Sequence, residues 1–193
     1  VSSPEFPSLE TERLLLRGIT LEDAPFWFEH FSDPEIVELT AYEAPRDLPA
    51  AREEVLQFCV RPFEEGRGLR WGILMKSQPG LIGTLGYHQW AHEGRRARVG
   101  YDLRKAFRRQ GIMTEALSAV LGYGFGAMGL NRVEACTDPR NTASIHLLDK
   151  IGFHLDGVLR ENTLFRGRFL DDLCFSLLAR EWESRAPSAR GNR

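Results

Sequence analysis

Cysteine is scarce in this chain and never closely spaced: Cys59, Cys136 and Cys174 are the only three in 193 residues, and no CxxC occurs. A disulfide scaffold and a thiolate metal site both lack their signature, so the three read as buried free thiols of a reducing compartment. The GxxxxGK[ST] loop of a Walker-type nucleotide site is missing. Long apolar runs are missing too. The longest uncharged apolar-rich stretch, Ala116 to Leu130, falls short of the roughly 20 residues that a membrane span needs. Residues 1–17 have none of the basic-then-apolar layout of a signal peptide, and a cytoplasmic protein without membrane contact is expected. There are no internal repeats and no low-complexity tracts, which excludes solenoids and linker arrays.

What is present is a globular composition, 42% apolar and 27% charged with a net charge of -2. A chain of this length buries about 70% of its unfolded surface, enough for one core without metal or disulfide staples. The charge is distributed unevenly. Residues 1–65 hold 15 acidic and 5 basic residues, and the remainder holds 12 acidic and 20 basic, so the two parts are expected to face different ligands. Arg95, Arg96, Arg98, Arg104, Lys105, Arg108 and Arg109 crowd together, opposed only by Asp102. Such a cluster is either an anion site or a solvated face.

The patterning predicts a first strand over 12–18, a helix over 21–31 capped by Thr20 and Asp23, and further helices opened by Asp33-Pro34 and by Asp47 with Pro49. Strands follow over 69–76 and 81–90, joined by Ser77-Gln78-Pro79-Gly80, and then over 96–103. Ile112, Ala116, Ala119, Val120 and Tyr123 recur at helical spacing before a strand over 133–137. That strand, helix, strand order predicts a parallel pair. Asn141 caps a helix that stops at Gly152, and a hairpin over 154–179 closes around Arg166-Gly167-Arg168. The expectation is one domain over 1–182 with a flexible tail over 183–193.

Two motifs bear on chemistry. Gly124-Phe125-Gly126-Ala127-Met128-Gly129 spells GxGxxG, but it ends a helix and leads into a strand, the reverse of a dinucleotide site. Its glycines are expected to serve helix termination and close packing. Arg108-Arg109-Gln110-Gly111-Ile112-Met113-Thr114 instead follows a strand and opens a helix inside the basic cluster. Unpaired helix-start amides, a partial positive charge and a glycine that admits close approach suit a diphosphate.

These residues resemble the GNAT superfamily of acetyl-CoA-dependent N-acetyltransferases. Arg108-x-x-Gly111-x-Met113 is similar to its pyrophosphate loop, with Met113 at the usual glycine or alanine position, as in the branch of the RimJ/RimL ribosomal-protein N-terminal acetyltransferases. The likeness continues in Thr11-Glu12-Arg13-Leu14-x-Leu16-Arg17, Ile82-Gly83, Val99-Gly100-Tyr101, Thr114-Glu115-Ala116, Asn141-x-x-Ser144, Lys150-x-Gly152-Phe153 and Gly157-x-x-Arg160-Glu161. The resemblance implies a mixed α/β (α+β) single domain: a largely antiparallel sheet, a central splayed parallel pair and flanking helices. It implies acetyl-CoA as cosubstrate, without metal, held by Leu103, Arg104, Arg108, Arg109, Gln110, Gly111, Ile112, Met113, Thr114, Asn141 and Ser144. Ser144 is the implied proton donor near sulfur and Glu161 a candidate base; Glu115 is expected to be structural.

The implied reaction is acetyl transfer to a primary amine, with a protein N-terminus, ribosomal-protein-like, as first acceptor. At pH 7.5 an α-amine with pKa near 7.8 is about one-third neutral, and a lysine near 10.4 about 0.1%. The lack of an obvious base therefore favours an α-amine. The acidic segment could form a wall that attracts a basic protein tail. A small amine such as an aminoglycoside, polyamine or amino acid is the alternative acceptor. Nucleic acid fits poorly, because aromatics are not interleaved among the arginines. Monomer and homodimer both remain open.

Overall fold

The computed structural model describes residues 5–184. Eight strands form one sheet in the order β1-β2-β3-β4-β5-β6-β8-β7. They are β1 (Leu9–Glu10), β2 (Leu14–Gly18), β3 (Leu69–Met75), β4 (Leu81–Ala91), β5 (Arg96–Leu103), β6 (Arg132–Thr137), β7 (His154–Phe165) and β8 (Arg168–Leu178). The helices are α1 (Ala24–Phe31), α2 (Pro34–Thr40), α3 (Leu48–Val55), α4 (Arg61–Glu64), α5 (Ile112–Gly126), α6 (Thr142–Ile151) and α7 (Ala179–Glu183). Every neighbouring pair is antiparallel except β5 and β6, the parallel pair that α5 connects. The expected architecture is therefore the observed one.

Two details depart from the sequence expectation. The two-residue β1 was not anticipated, and the helix predicted from Asp47 onward widens into a π-helical turn over Leu56–Val60 before α4. Pro62 lacks an N–H and its ring would press on the carbonyl four residues back, so the turn ahead of it loosens. The tail expected from 183 lies outside the described residues beyond 184.

Apolar side chains alternate along the central strands and pack with α5. Leu14, Leu16, Trp71, Ile73, Leu85, Val99 and Val133 share one cluster with Ile112, Ala116, Leu117, Val120 and Leu121. A second cluster unites α1 to α3 through Ala24, Trp27, Phe31, Ile36, Ala51 and Val55. Of the GxGxxG glycines only Gly124 packs as tightly as expected: a Cβ there would lie 2.2 Å from the Tyr87 hydroxyl, which donates to the Val120 carbonyl, whereas a Cβ at Gly126 would meet nothing within 4 Å and one at Gly129 only Arg95 at 3.9 Å. Gly124→Ala is expected to lose about 1–3 kcal/mol despite alanine's better helix propensity. Urea unfolding checks this; an unchanged midpoint would mean that Tyr87 moves aside freely.

The acidic and basic parts of the chain turn out to face each other. Glu29 pairs with Arg104 at 2.7 Å, Glu35 with Lys105 at 3.2 Å and also with Arg108, and Glu38 with Arg140 at 3.1 Å. This corrects the expectation of separate ligands, because the helices over 24–40 lie against the end of β5 and the turns that follow. The Arg108 and Lys105 hydrogen bonds hold the Glu35 carboxyl below its usual range. Pairs this exposed contribute about 0–1 kcal/mol each, so their main effect is to cancel charge. A second correction concerns the cysteines. Cys59 is buried, but Cys136 and Cys174 are only partly so, and as cross-strand partners their Sγ atoms lie 2.7 Å apart.

Candidate active site

The parallel pairing of β5 with β6 runs only through Arg96↔Arg132, Ala97↔Val133 and Arg98↔Glu134. Beyond it the strands part. The opening belongs to a cleft of about 560 Å³ lined from β5 by Val99 to Asp102 and from the β6 side by Ala135 to Asp138, Asn141 and Ser144. Arg104 N–H donates to the Ile82 carbonyl on the β4 side. Backbone groups alternate along a strand, so the amides of Val99, Tyr101 and Leu103 turn toward the gap. An extended ligand laid in it meets a row of strand donors.

Asn141 and Ser144 sit where a helix cap places them. The Asn141 side chain accepts from Ser144 N–H at 3.1 Å, and Ser144 is 9% exposed. Its Oγ lies 2.8 Å from the Tyr101 hydroxyl across the gap. Burial pushes the Tyr101 pKa up to about 12, with the Ser144 hydrogen bond opposing, so this pair stays protonated at neutral pH. Two O–H groups, one from β5 and one from α6, thus meet within the cleft.

Leu103 ends β5 at the lip of the cleft, and Arg104 begins the turn over 104–111. Gly111 is exposed and precedes α5 with φ 74°, in the left-handed region. The first intrahelical bond is Glu115 N–H to the Gly111 carbonyl, so the amides of Ile112, Met113 and Thr114 point out of the helix start. Arg13 and Glu115 brace the turn: Arg13 Nη1 donates to the Gln110 carbonyl at 3.0 Å, and Glu115 accepts from Arg13 Nε at 2.7 Å and the Thr11 hydroxyl at 2.5 Å. Glu115 is the structural residue it was expected to be. Arg108 folds inward, its Nε donating to the Leu103 carbonyl at 3.0 Å, and Gln110 Nε2 donates to Ala106 O at 2.8 Å. Arg109 is exposed with φ 60°.

Glu161 is not brought into the cleft. It is exposed in β7 at φ 52°, where the β7–β8 register slips, and its N–H donates to Asp171 Oδ1 at 2.8 Å. The cleft holds other groups that sequence reasoning missed. Asp102 accepts from Arg70 Nη2 at 2.6 Å, Thr84 Oγ1 at 2.7 Å and Thr84 N–H at 3.0 Å, and its Oδ1 lies 2.8 Å from His30 Nε2. Burial alone would raise the Asp102 pKa, but the His30 and Thr84 hydrogen bonds and the Arg70 charge outweigh it and hold the carboxyl below its usual range. His88 is exposed at the cleft, yet desolvation of its ring and the charges of Arg70 and Arg98 pull its pKa down to about 4. Tyr101, Arg70 and Asp102 meet their partners across 14 to 72 residues of chain. No local motif marks them. Parity on the sheet is the one available signal, since Arg70, Thr84, His88 and Asp102 share a face by register.

The sheet thus splays at its single parallel pair, with a glycine-led helix start at the mouth, an arrangement with room for an extended ligand and a terminal anion. The pattern of the Acetyltransferase (GNAT) domain matches residues 13–154, and the chain belongs to this family of N-acetyltransferases, which use acetyl-CoA. It is 39% identical over 90% of its length to the "Uncharacterized N-acetyltransferase YoaA" of Bacillus subtilis (strain 168), covering 97% of that protein. It is 24% identical over 90% of its length to the "[Ribosomal protein uS5]-alanine N-acetyltransferase" of Escherichia coli (strain K12), covering 92%. In fold it is similar to Mycobacterium smegmatis RimJ, solved in complex with CoA-disulfide, with a TM-score of 0.80, 24% identity and coverage of 93% of this chain and 89% of that one. Among the described residues, no helix is long and apolar enough to cross a membrane.

Proposed function

We propose that this N-acetyltransferase acts on the N-terminal α-amine of a protein, in the cytoplasm, by direct attack in a ternary complex. The observation that carries the reading is the Tyr101–Ser144 hydroxyl pair inside the gap where β5 leaves β6. The pantetheine arm is assigned to that gap, against the amides of Val99, Tyr101 and Leu103. The diphosphate is assigned to the turn of Arg104, Arg108, Arg109 and Gln110 and to the amides from Gly111 through Ile112, Met113 and Thr114. Asn141 holds Ser144 in place.

The amine attacks the thioester carbonyl, the C–N bond forms, the C–S bond breaks and the amine proton passes to solvent. Ser144 supplies a proton to the departing thiolate and is reprotonated through Tyr101, which recovers its proton from solvent. An α-amine already substantially neutral at pH 7.5 needs no strong base, which agrees with a cleft whose buried carboxylate, Asp102, is fully engaged. The ribosomal-protein relative supports a protein acceptor. Glu29, Glu35 and Glu38 of the acidic segment are paired with arginines of the basic part, so affinity for a basic tail rests on the other acidic residues.

Ser144→Ala is expected to lower kcat about tenfold to a hundredfold while acetyl-CoA affinity changes less than about twofold. Thiol release with a peptide carrying a free N-terminus measures the first and calorimetry the second. Equal losses would reassign Ser144 to binding, and transfer to spermidine or aminoglycosides in preference to peptides would remove the protein acceptor.

A further inference from the structure

Arg70 sits on β3 in a position that neither the phosphate turn nor the hydroxyl pair explains. Its Nε and Nη2 are committed, to Thr84 Oγ1 at 3.0 and 2.6 Å and to Asp102 Oδ2 at 2.6 Å. Asp102 is itself anchored to His30 on α1, and the guanidinium lies 5.7 Å from the centre of the Trp27 ring. The group is therefore fixed on one edge. Its other nitrogen, Nη1, makes no bond among the described residues, while Arg70 lines the cleft and keeps 21% of its side-chain surface exposed.

Space has been left beside that free edge. Gly100 lies between Val99 and Tyr101 in the opened part of β5, and a Cβ there would come within 3.9 Å of Arg70 Nη1 and 3.4 Å of the His88 ring. Tyr101, the neighbour of Gly100, carries the hydroxyl bonded to Ser144. A rigid, cationic edge thus faces open room in the same cleft that Tyr101 and Ser144 line from the other parity of β5 and from α6.

We propose that Arg70 selects the acceptor, its Nη1 edge binding the oxygen of a carbonyl or carboxylate attached to the carbon that bears the attacking amine. This rests on the function proposed above and narrows it. α-Amino acyl compounds carry that oxygen next to the amine; polyamines and aminoglycosides do not. A planar guanidinium pre-oriented by Thr84 and Asp102 suits such an oxygen better than a mobile lysine would.

The test compares a tripeptide with N-terminal alanine, free alanine and isopropylamine, each with the wild-type chain and with Arg70→Gln. Reading each effect as the change on mutation cancels the amines' own basicity. The tripeptide is expected to lose at least about tenfold more kcat/KM than isopropylamine does, chiefly through KM, with acetyl-CoA affinity retained. A comparable differential for free alanine would assign the carboxylate as well as the peptide carbonyl. Arg70→Lys keeps a positive charge beside Asp102 but loses the free Nη1 group, so it gives the same differential where Arg70→Gln does not fold. Equal losses for the tripeptide and isopropylamine, with acetyl-CoA still bound, would overturn the role of Arg70. Failure of the wild-type chain to acetylate any α-amine would instead overturn the function on which it rests.

Discussion

Gly111→Val is expected to weaken acetyl-CoA binding about a hundredfold while leaving a folded protein. At φ 74° the residue occupies the left-handed region, which costs an ordinary side chain about 1–2 kcal/mol and a β-branched one more. The exposed turn would relieve that strain by shifting, and the shift would turn the amides of Ile112 to Thr114 away from a common point. The added methyls would also stand where the diphosphate approaches. Each 1.4 kcal/mol is about tenfold in affinity, so the two effects together should weaken binding by about a hundredfold. The apolar face of α5 remains buried in the core and keeps the variant folded. Thermal stabilisation by acetyl-CoA is the readout, and an undiminished shift would remove the turn from the binding site.

The second large effect is one of stability. Asp102→Ala would leave Arg70 and the Thr84 amide without their buried carboxylate and sever the link to His30. Breaking a buried ion pair from one side costs about 3–5 kcal/mol, or roughly 6–20 °C of Tm for a chain of this size. A pH dependence follows. The folded-state pKa of Asp102 lies below its usual value, so its stabilisation is fully present above the unfolded pKa of about 3.9 and drains away as the pH falls below that toward the folded value. Wild type and variant should therefore differ by a constant amount above about pH 5 and converge in stronger acid. A gap that persisted unchanged to pH 2 would show that the lost stability is packing, not charge.

What could be read from the sequence was whatever is encoded locally. Asn141 caps α6, Gly152 ends it at φ 94°, and Arg166-Gly167 turns the last hairpin, because each needs only its own backbone geometry. The Gly111 turn was visible for the same reason. The Tyr101–Ser144 pair and the Asp102 network were not, since their members are brought together by strand order and helix docking. Charge misled in an instructive way: Glu29 and Glu35 of the acidic block pair at the surface with Arg104, Lys105 and Arg108 of the basic cluster, so the two blocks partly meet. Cys136 and Cys174 read as isolated until register placed them opposite each other.

The central claim is that the gap between β5 and β6, together with the turn at Gly111, holds the acetyl donor. A crystal structure of the chain with CoA tests it most directly. The diphosphate is expected within hydrogen-bonding distance of the backbone amides between positions 111 and 114, with the pantetheine chain extended along 99–103 and its sulfur near Ser144. CoA bound elsewhere, or the turn filled by the Arg108 and Arg109 side chains with the gap empty, would contradict it.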